Sequence, residues 1–221
     1  MKTPIYIVLL LVIFLAYKSH AADRGKFAQG YYLDSTQHKI EGLICFDGTD
    51  CESFLFKKDL GEKAVKINVN QCSKFGIGEH QYETISQIDF VTIIRKRHIS
   101  KAFAELLESG NVKLYKIGLA LSSMDAAHKV TTTVTELSDN TAGGNMSGYL
   151  RKARVYYYVR RDGEDKYTRV ESRKSKFKAQ MEDYLKDKPE IVALLKNNKN
   201  YNFNNIEVII HSYNRGLPEN K

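Results

Sequence analysis

Serine, aspartate and asparagine stand together at Ser138-Asp139-Asn140, and Ser175-Lys-Phe-Lys178 sets a serine three residues ahead of a lysine. These are the elements of an acyl-transfer enzyme with a serine nucleophile, but their order is wrong. The S-x-x-K serine has to come first, and no K-T-G follows. Ser175 also lies in a basic amphipathic segment whose core-directed residue is Phe177. The chain has no G-x-S-x-G for a nucleophile elbow and no H-E-x-x-H for zinc. Gly143-Gly144-Asn145 lacks the lysine and helix start that a phosphate cradle needs. His38, His80, His98, His128 and His211 share no ligand spacing, and Cys72 has no histidine placed beside it by sequence. No catalytic residue, metal ligand set or cofactor is assigned on these grounds.

The cysteines are Cys45, Cys51 and Cys72. Cys45 and Cys51 flank the turn-rich Phe46-Asp-Gly-Thr-Asp50 and form the candidate disulfide, leaving Cys72 as the odd thiol. A zinc site would need a fourth ligand and a C-x-x-C or H-x-H type spacing, and neither is present.

Binding chemistry is better supplied. The formal charge is +8, and residues 150–178 hold eleven Lys or Arg against four Asp or Glu. Arg151, Lys152, Arg154, Arg160, Arg161, Arg169, Arg173 and Lys174 form the candidate partner-binding strip, suited to an anionic surface. Inside it, Val155-Tyr-Tyr-Tyr-Val159 alternates: Tyr156 and Tyr158 share one strand face, with Arg160 and Arg161 following. Aromatic rings beside arginines can stack on bases or sugars, although packing in a core explains the same pattern more simply.

The elements that position these residues change character near Glu171. Before it, period-two apolar patterns predict strands over residues 27–33, 39–46, 53–57, 64–69, 82–88 and 90–95. Ser100 as N-cap, Phe103, Leu106 and Leu107 at helical spacing, and Gly110 as terminator predict one short helix over residues 100–110. Strands over residues 111–121 and 129–137, a loop over 138–148 and a hairpin around Asp162-Gly163 complete the region. After Glu171 three helices are predicted. The first carries Phe177, Met181, Tyr184 and Leu185 on one face, and the second opens at Pro189. The third, capped by Asn204 or Asn205, repeats Ile206, Ile209, Ile210 and Tyr213 before Gly216 and Pro218 stop it. The expected fold is α+β: an antiparallel sheet region with one short helix (residues 27–170), a three-helix segment packed on it (171–216) and a tail (217–221).

Residues 1–21 read as a signal peptide. Lys2 is followed by an uncharged apolar run from Ile5 to Tyr17, then by the small residues Ser19 and Ala21 spaced two apart. The run is shorter than the roughly 20 residues a spanning helix requires, and no later segment approaches that length, so the processed chain is expected to be without a transmembrane segment.

Four motifs recur in order along the chain. Gly30-Tyr-Tyr-Leu-Asp34 is followed by Lys39-Ile-Glu-Gly-Leu-Ile44, then by Phe54-Leu-Phe-Lys57. Phe103-Ala-Glu-Leu-Leu-Glu-Ser-Gly-Asn-Val-Lys-Leu-Tyr115 comes third, and the span Phe177 to Ile191 with Tyr213-Asn214 closes the series. In this order they resemble a family of uncharacterised exported proteins of Bacteroidota-type Gram-negative bacteria, whose larger relatives carry an outer-membrane β-barrel after this module. The resemblance covers most of the chain beyond the signal. It implies a periplasmic or outer-membrane-associated soluble module and an envelope or outer-membrane protein as partner, and it implies no catalytic residue. The expectation is an exported interaction module; an envelope hydrolase, or a binder of anionic glycan or nucleic acid, is the alternative.

Overall fold

The computed structural model describes residues 27–48, 50–91, 96–119 and 154–217. The predicted signal peptide, the predicted strand over 129–137 and the predicted loop over 138–148 lie outside them. Among the described residues ten strands follow in sequence: β1 (Ala28–Asp34), β2 (Lys39–Cys45), β3 (Ser53–Lys57), β4 (Val65–Asn68), β5 (Cys72–Ile77), β6 (His80–Val91), β7 (Lys96–Glu108), β8 (Val112–Leu119), β9 (Arg154–Arg161) and β10 (Thr168–Arg169). Three α-helices close the chain: α1 (Lys174–Tyr184), α2 (Pro189–Asn197) and α3 (Ile206–Arg215).

All ten strands join one antiparallel sheet in the order β10-β9-β8-β7-β6-β5-β1-β2-β3-β4, curled into a half-barrel. The described residues are therefore predominantly β, with 46% strand against 22% helix, and the α+β expectation is corrected. The predicted helix over residues 100–110 is the main source of the error: those residues are strand, the second half of β7 and the turn after it. Their apolar positions serve two faces. Phe103 enters one core cluster while Ala102 and Ala104 enter another, so Ala102-Phe-Ala104 is buried without a break. Pairing with β6 and β8 on either side overrides the helical spacing of Phe103, Leu106 and Leu107. Two further differences are smaller. The predicted strand 82–88 runs on in β6 through Phe90 and Val91, the rest of the predicted strand 90–95 lies outside the described residues, and β5 carries no alternation that would have announced it.

The opening hairpin is held from both ends. Asp34 Oδ1 accepts from Thr36 N–H (2.8 Å), His38 N–H (2.9 Å) and Thr36 Oγ1 (2.7 Å), closing the β1–β2 turn. Midway along, Gly30 and Gly42 face each other across the ladder. A Cβ on Gly42 would stand 2.4 Å from Lys57 O and 2.6 Å from the Phe56 ring. Removing the side chain lets β3 fold over β2, and this begins the curl. Inside the curl Phe54, Phe75 and Phe103 pack with Ile44 and Phe56, and Phe46 stands edge-on to Phe75, Tyr82 and Phe103. Phe103 N–H donates to Cys51 O (2.6 Å), fastening the β2–β3 connection to β7.

The second cluster joins Ile85, Ile88, Phe90 and Ile99 with Tyr115, Ile117 and Tyr158. Ile85 and Ile88 share it despite their odd spacing, and Gln87 between them adopts φ 53° while the pairing with β7 keeps one register. The third cluster is the seam between sheet and helices. Val112 and Leu114 of β8 and Val159 of β9 meet Phe177, Met181, Leu185, Ile191, Leu195, Ile209 and Ile210. Asn205 holds the N-cap position of α3, without a side-chain cap bond, and Asn202 caps the short 3-10 turn before it through its side chain (2.9 Å to Asn204 N–H).

The close approach at Gly42 makes a direct prediction. Gly42→Ala should destabilise the protein by about 1–3 kcal/mol, the usual cost of overpacking, in urea unfolding followed by circular dichroism. Gly61→Ala, where nothing lies within 4 Å, should stay within about 0.5 kcal/mol of the parent.

Candidate functional site

The period of a strand disperses the predicted basic strip. Successive side chains of β9 point to opposite faces. Val159 and Tyr157 meet the helices on one face, where Tyr157 lies edge-on to Phe203 at 5.5 Å, and Arg161 belongs to that face. Arg160 shares the other face with Tyr156 and Tyr158. Arg151 and Lys152 lie outside the described residues, and Arg154 begins β9. Arg169, on β10, is paired with Glu171 at 2.7 Å. Arg173 and Lys174 are exposed at the start of α1, and Lys176 continues them. Among the described residues of the strip, these last cations are the ones that stand together and exposed.

Arg161 is committed to the interior. Its Nη2 donates to Asp187 Oδ1 (2.6 Å) and to Tyr184 O, and its Nη1 donates to Tyr213 Oη (2.9 Å). Tyr213 Oη in turn donates to the second Asp187 oxygen at 2.5 Å, and Lys188 Nζ donates to Tyr213 O. The Arg161 guanidinium holds the Asp187 carboxyl at about 2, well below the usual carboxylate range, and Tyr213 adds to the effect against the cost of burial. Next in sequence, Asn214 behaves as a fragment of strand. Its Oδ1 accepts from Val112 N–H (3.0 Å) and its Nδ2 donates to Val112 O (2.7 Å). Gly110 permits this, since a Cβ there would stand 2.7 Å from the Asn214 side chain, and its φ of 153° lies at the edge of the region that favours glycine.

On the other face Arg160 Nη1 donates to Tyr167 Oη (3.2 Å), and its guanidinium lies 5.1 Å from that ring's centre. Tyr167 stands edge-on to Tyr115, whose hydroxyl donates to Glu83 Oε2 (2.7 Å); Lys113 Nζ lies 3.7 Å from the same oxygen. Tyr158 offers no stacking platform. It is 1% exposed, and its hydroxyl donates to Asp89 O (3.0 Å). Tyr156 packs edge-on to Phe90 at 5.1 Å.

One constellation carries no sequence signal because it draws on three strands. Glu105, 9% exposed, receives His80 Nδ1 on one carboxylate oxygen and Lys116 Nζ on the other, each at 2.6 Å. Glu105 and Lys116 are direct cross-strand partners, so register alone places them. The carboxylate fixes the imidazole through Nδ1, as an orienting acid would, while its other oxygen is taken by the Lys116 ammonium. His98 pairs with Asp89 (2.9 Å), and His211 with Glu108 (3.3 Å). Among the described residues, no group of three or more His, Cys, Asp or Glu is placed to hold a metal ion.

The structure shows Cys45, Cys51 and Cys72 without a sulfur–sulfur bond. Cys45 ends β2 while Cys51 is drawn into the second core cluster, where its carbonyl serves β7. Burial pushes the Cys72 thiol up to about 12, which disfavours the thiolate that a nucleophile needs.

The chain matches no protein-family model, no curated protein and no solved structure.

Two predictions follow from the Arg161 and Asn214 contacts. Asn214→Leu leaves both backbone groups of Val112 unpaired and should cost about 2 kcal/mol or more, read by thermal unfolding. Asp187 has a folded pKa below its unfolded one, so its contribution to stability is fully present above about pH 4 and is lost as pH falls towards 2. Asp187→Asn should therefore lower stability at pH 6, and the gap from the parent should close near pH 2. A gap that stays constant across that range would remove Asp187 from the account.

Proposed function

We propose that this chain is an exported, non-catalytic interaction module of a Gram-negative cell envelope, acting in the periplasm or in association with the outer membrane. Its partner is an envelope or outer-membrane protein with an anionic surface, met through the cations that open α1. The observation that carries this reading is electrostatic. Arg173 holds the N-cap position without a side-chain cap bond, Lys174 and Lys176 follow, and the first turn contains no acid. Helix N-termini bear partial positive charge, so cations there oppose the helix dipole, at up to about 0.3–1 kcal/mol each. None of the three is in an ion pair among the described residues, so local structure gains nothing from them, whereas an anionic partner would. The signal-like residues 1–21 and the ordered motifs shared with exported proteins support the location. Among the described residues no helix is long and apolar enough to cross a membrane.

The motifs themselves have structural work in this reading. Gly42 admits β3, Gly110 admits Asn214, and Tyr213 and Asp187 hold Arg161. They define a scaffold, and the contact surface is left to the cations outside it.

Produced with its full sequence in a Gram-negative host, the protein recovered from the envelope fraction should have lost residues 1–21 by intact mass. Retention of that segment would remove the export premise. In-cell cross-linking of the tagged chain should capture an envelope protein, and the triple variant R173E/K174E/K176E should reduce capture about tenfold or more, equivalent to roughly 1.4 kcal/mol. Equal capture by the triple variant would sink the assignment of the surface. Cross-links to lipid alone would replace the protein partner with a membrane.

A further inference from the structure

We propose that Arg160 and Lys113 together hold a phosphate group on the face of the sheet opposite the helices. Val112 and Leu114 of β8 and Val159 of β9 turn to the helices, so their neighbours Lys113 and Arg160 turn away. The two cations are direct cross-strand partners in the β8–β9 ladder. Like charges placed opposite each other destabilise a sheet. On its other flank Arg160 meets Tyr167, one residue ahead of the Thr168–Val159 pair.

The acids around them leave this charge unmet. Arg160 is in no ion pair among the described residues, whereas Arg161, Arg169 and Arg215 lie 2.6, 2.7 and 3.5 Å from Asp187, Glu171 and Glu108. Lys113 has only Glu83, at 3.7 Å, and the same Glu83 oxygen already accepts the Tyr115 hydroxyl. Lys74 of β5 stands directly opposite Glu83, so that carboxylate does not belong to Lys113 alone. Asp165, exposed ahead of β10, pairs with neither cation. The side chains of Lys113 and Glu83 are 23% and 21% exposed, so water compensates the surplus only in part.

The guanidinium itself supplies the geometry. Its Nη1 donates to Tyr167 Oη (3.2 Å), and the ring below holds it by a cation–π contact. The opposite edge, made of Nε and Nη2, has no hydrogen-bond partner among the described residues, and Nε is shielded from water. A shielded donor without a partner calls for a bound group. Two parallel N–H bonds from that edge fit two oxygens of one oxyanion, and Lys113 adds a point charge beside them. A phosphate monoester carries a charge of about −1.5 to −2 at neutral pH, which matches the two cations. One hydrogen bond holds the guanidinium, so a small movement opens the Nε edge to the ligand. The cations of α1 sit with the helices on the other face, so this site is separate from the anionic-partner surface.

The test follows the Arg160 Nε–H resonance of the purified chain by proton–nitrogen NMR during titration with inorganic phosphate, glucose 1-phosphate and acetate. Both phosphates should shift it to saturation, and acetate should need about tenfold more or fail to saturate. Flotation with phosphatidic acid vesicles, against phosphatidylcholine vesicles, separates the sources: binding assigns a lipid headgroup, and phosphate binding without it assigns a soluble ester. Arg160→Lys keeps the charge and loses the fork, and should weaken phosphate binding about tenfold, read from the Tyr167 backbone amide. Arg160→Gln should abolish binding and melt at or above the parent's temperature, since it removes one of two opposed cations. A resonance that phosphate moves no more than sodium chloride of equal ionic strength overturns the proposal, as does acetate binding as tightly as phosphate. An Arg160→Gln variant that melts several degrees lower would make the residue structural and overturn it too. The variant R173E/K174E/K176E should titrate as the parent does, which keeps a failure here distinct from a failure of the α1 surface.

Discussion

Arg161 is where the sheet and the helices become one structure. It is the last residue of β9, and its guanidinium meets the end of α1 through Tyr184 O, the α1–α2 turn through Asp187, and α3 through Tyr213. Burial of Val112, Leu114 and Val159 against the helices supplies the larger driving force, but that force is not directional. A planar guanidinium with several fixed donors is directional, and lysine could not reproduce it. Asn214 completes the attachment by presenting its amide to Val112 as a neighbouring strand would. Register between helices and sheet is set by these few polar contacts, with the apolar seam filling in around them.

The sheet shows the same division between bulk force and specific fit. Aromatic rings fill the half-barrel, yet its curvature depends on places where side chains are missing. Gly42 lets Phe56 and Lys57 close over β2, and Gly76 lies against the Tyr31 ring, 2.7 Å from where a Cβ would stand. Gln87 leaves the usual backbone region in the middle of β6, although the pairing with β7 continues in one register across it.

What the sequence announced, and what it did not, follows from the range of each contact. The C-terminal helices were legible because Phe177, Met181 and Leu185, or Ile206, Ile209, Ile210 and Tyr213, repeat within a few residues and face one surface. β7 was misread because both of its faces are covered, so Ala102, Phe103 and Ala104 show no alternation, and Leu106 and Leu107 complete a false helical spacing. β5 was missed for a related reason: Gly76 breaks its pattern, and the ring that covers that glycine comes from β1. The bond from Asn214 to Val112 spans 102 positions, and nothing local to either residue announces it. The basic strip was legible as composition alone, and composition does not announce that Arg160 and Arg161, adjacent on β9, point to opposite faces.

The strand order has a consequence for how the molecule comes into being. β1 to β4 form a meander whose pairings are all between neighbours in sequence, and β5 then docks on the free side of β1. From β5 onward each strand again adds beside its predecessor. A chain that emerges N-terminus first can therefore be assembled in the order of its appearance, without waiting for a distant strand to arrive. The exception is the outer surface of β8 and β9. Val112, Leu114 and Val159 have no cover until α1 to α3 follow, and those helices come last. Every partly synthesised form carries an oily unfinished face, so the interval before the final forty or so residues arrive is when the molecule is most open to aggregation and most in need of a chaperone.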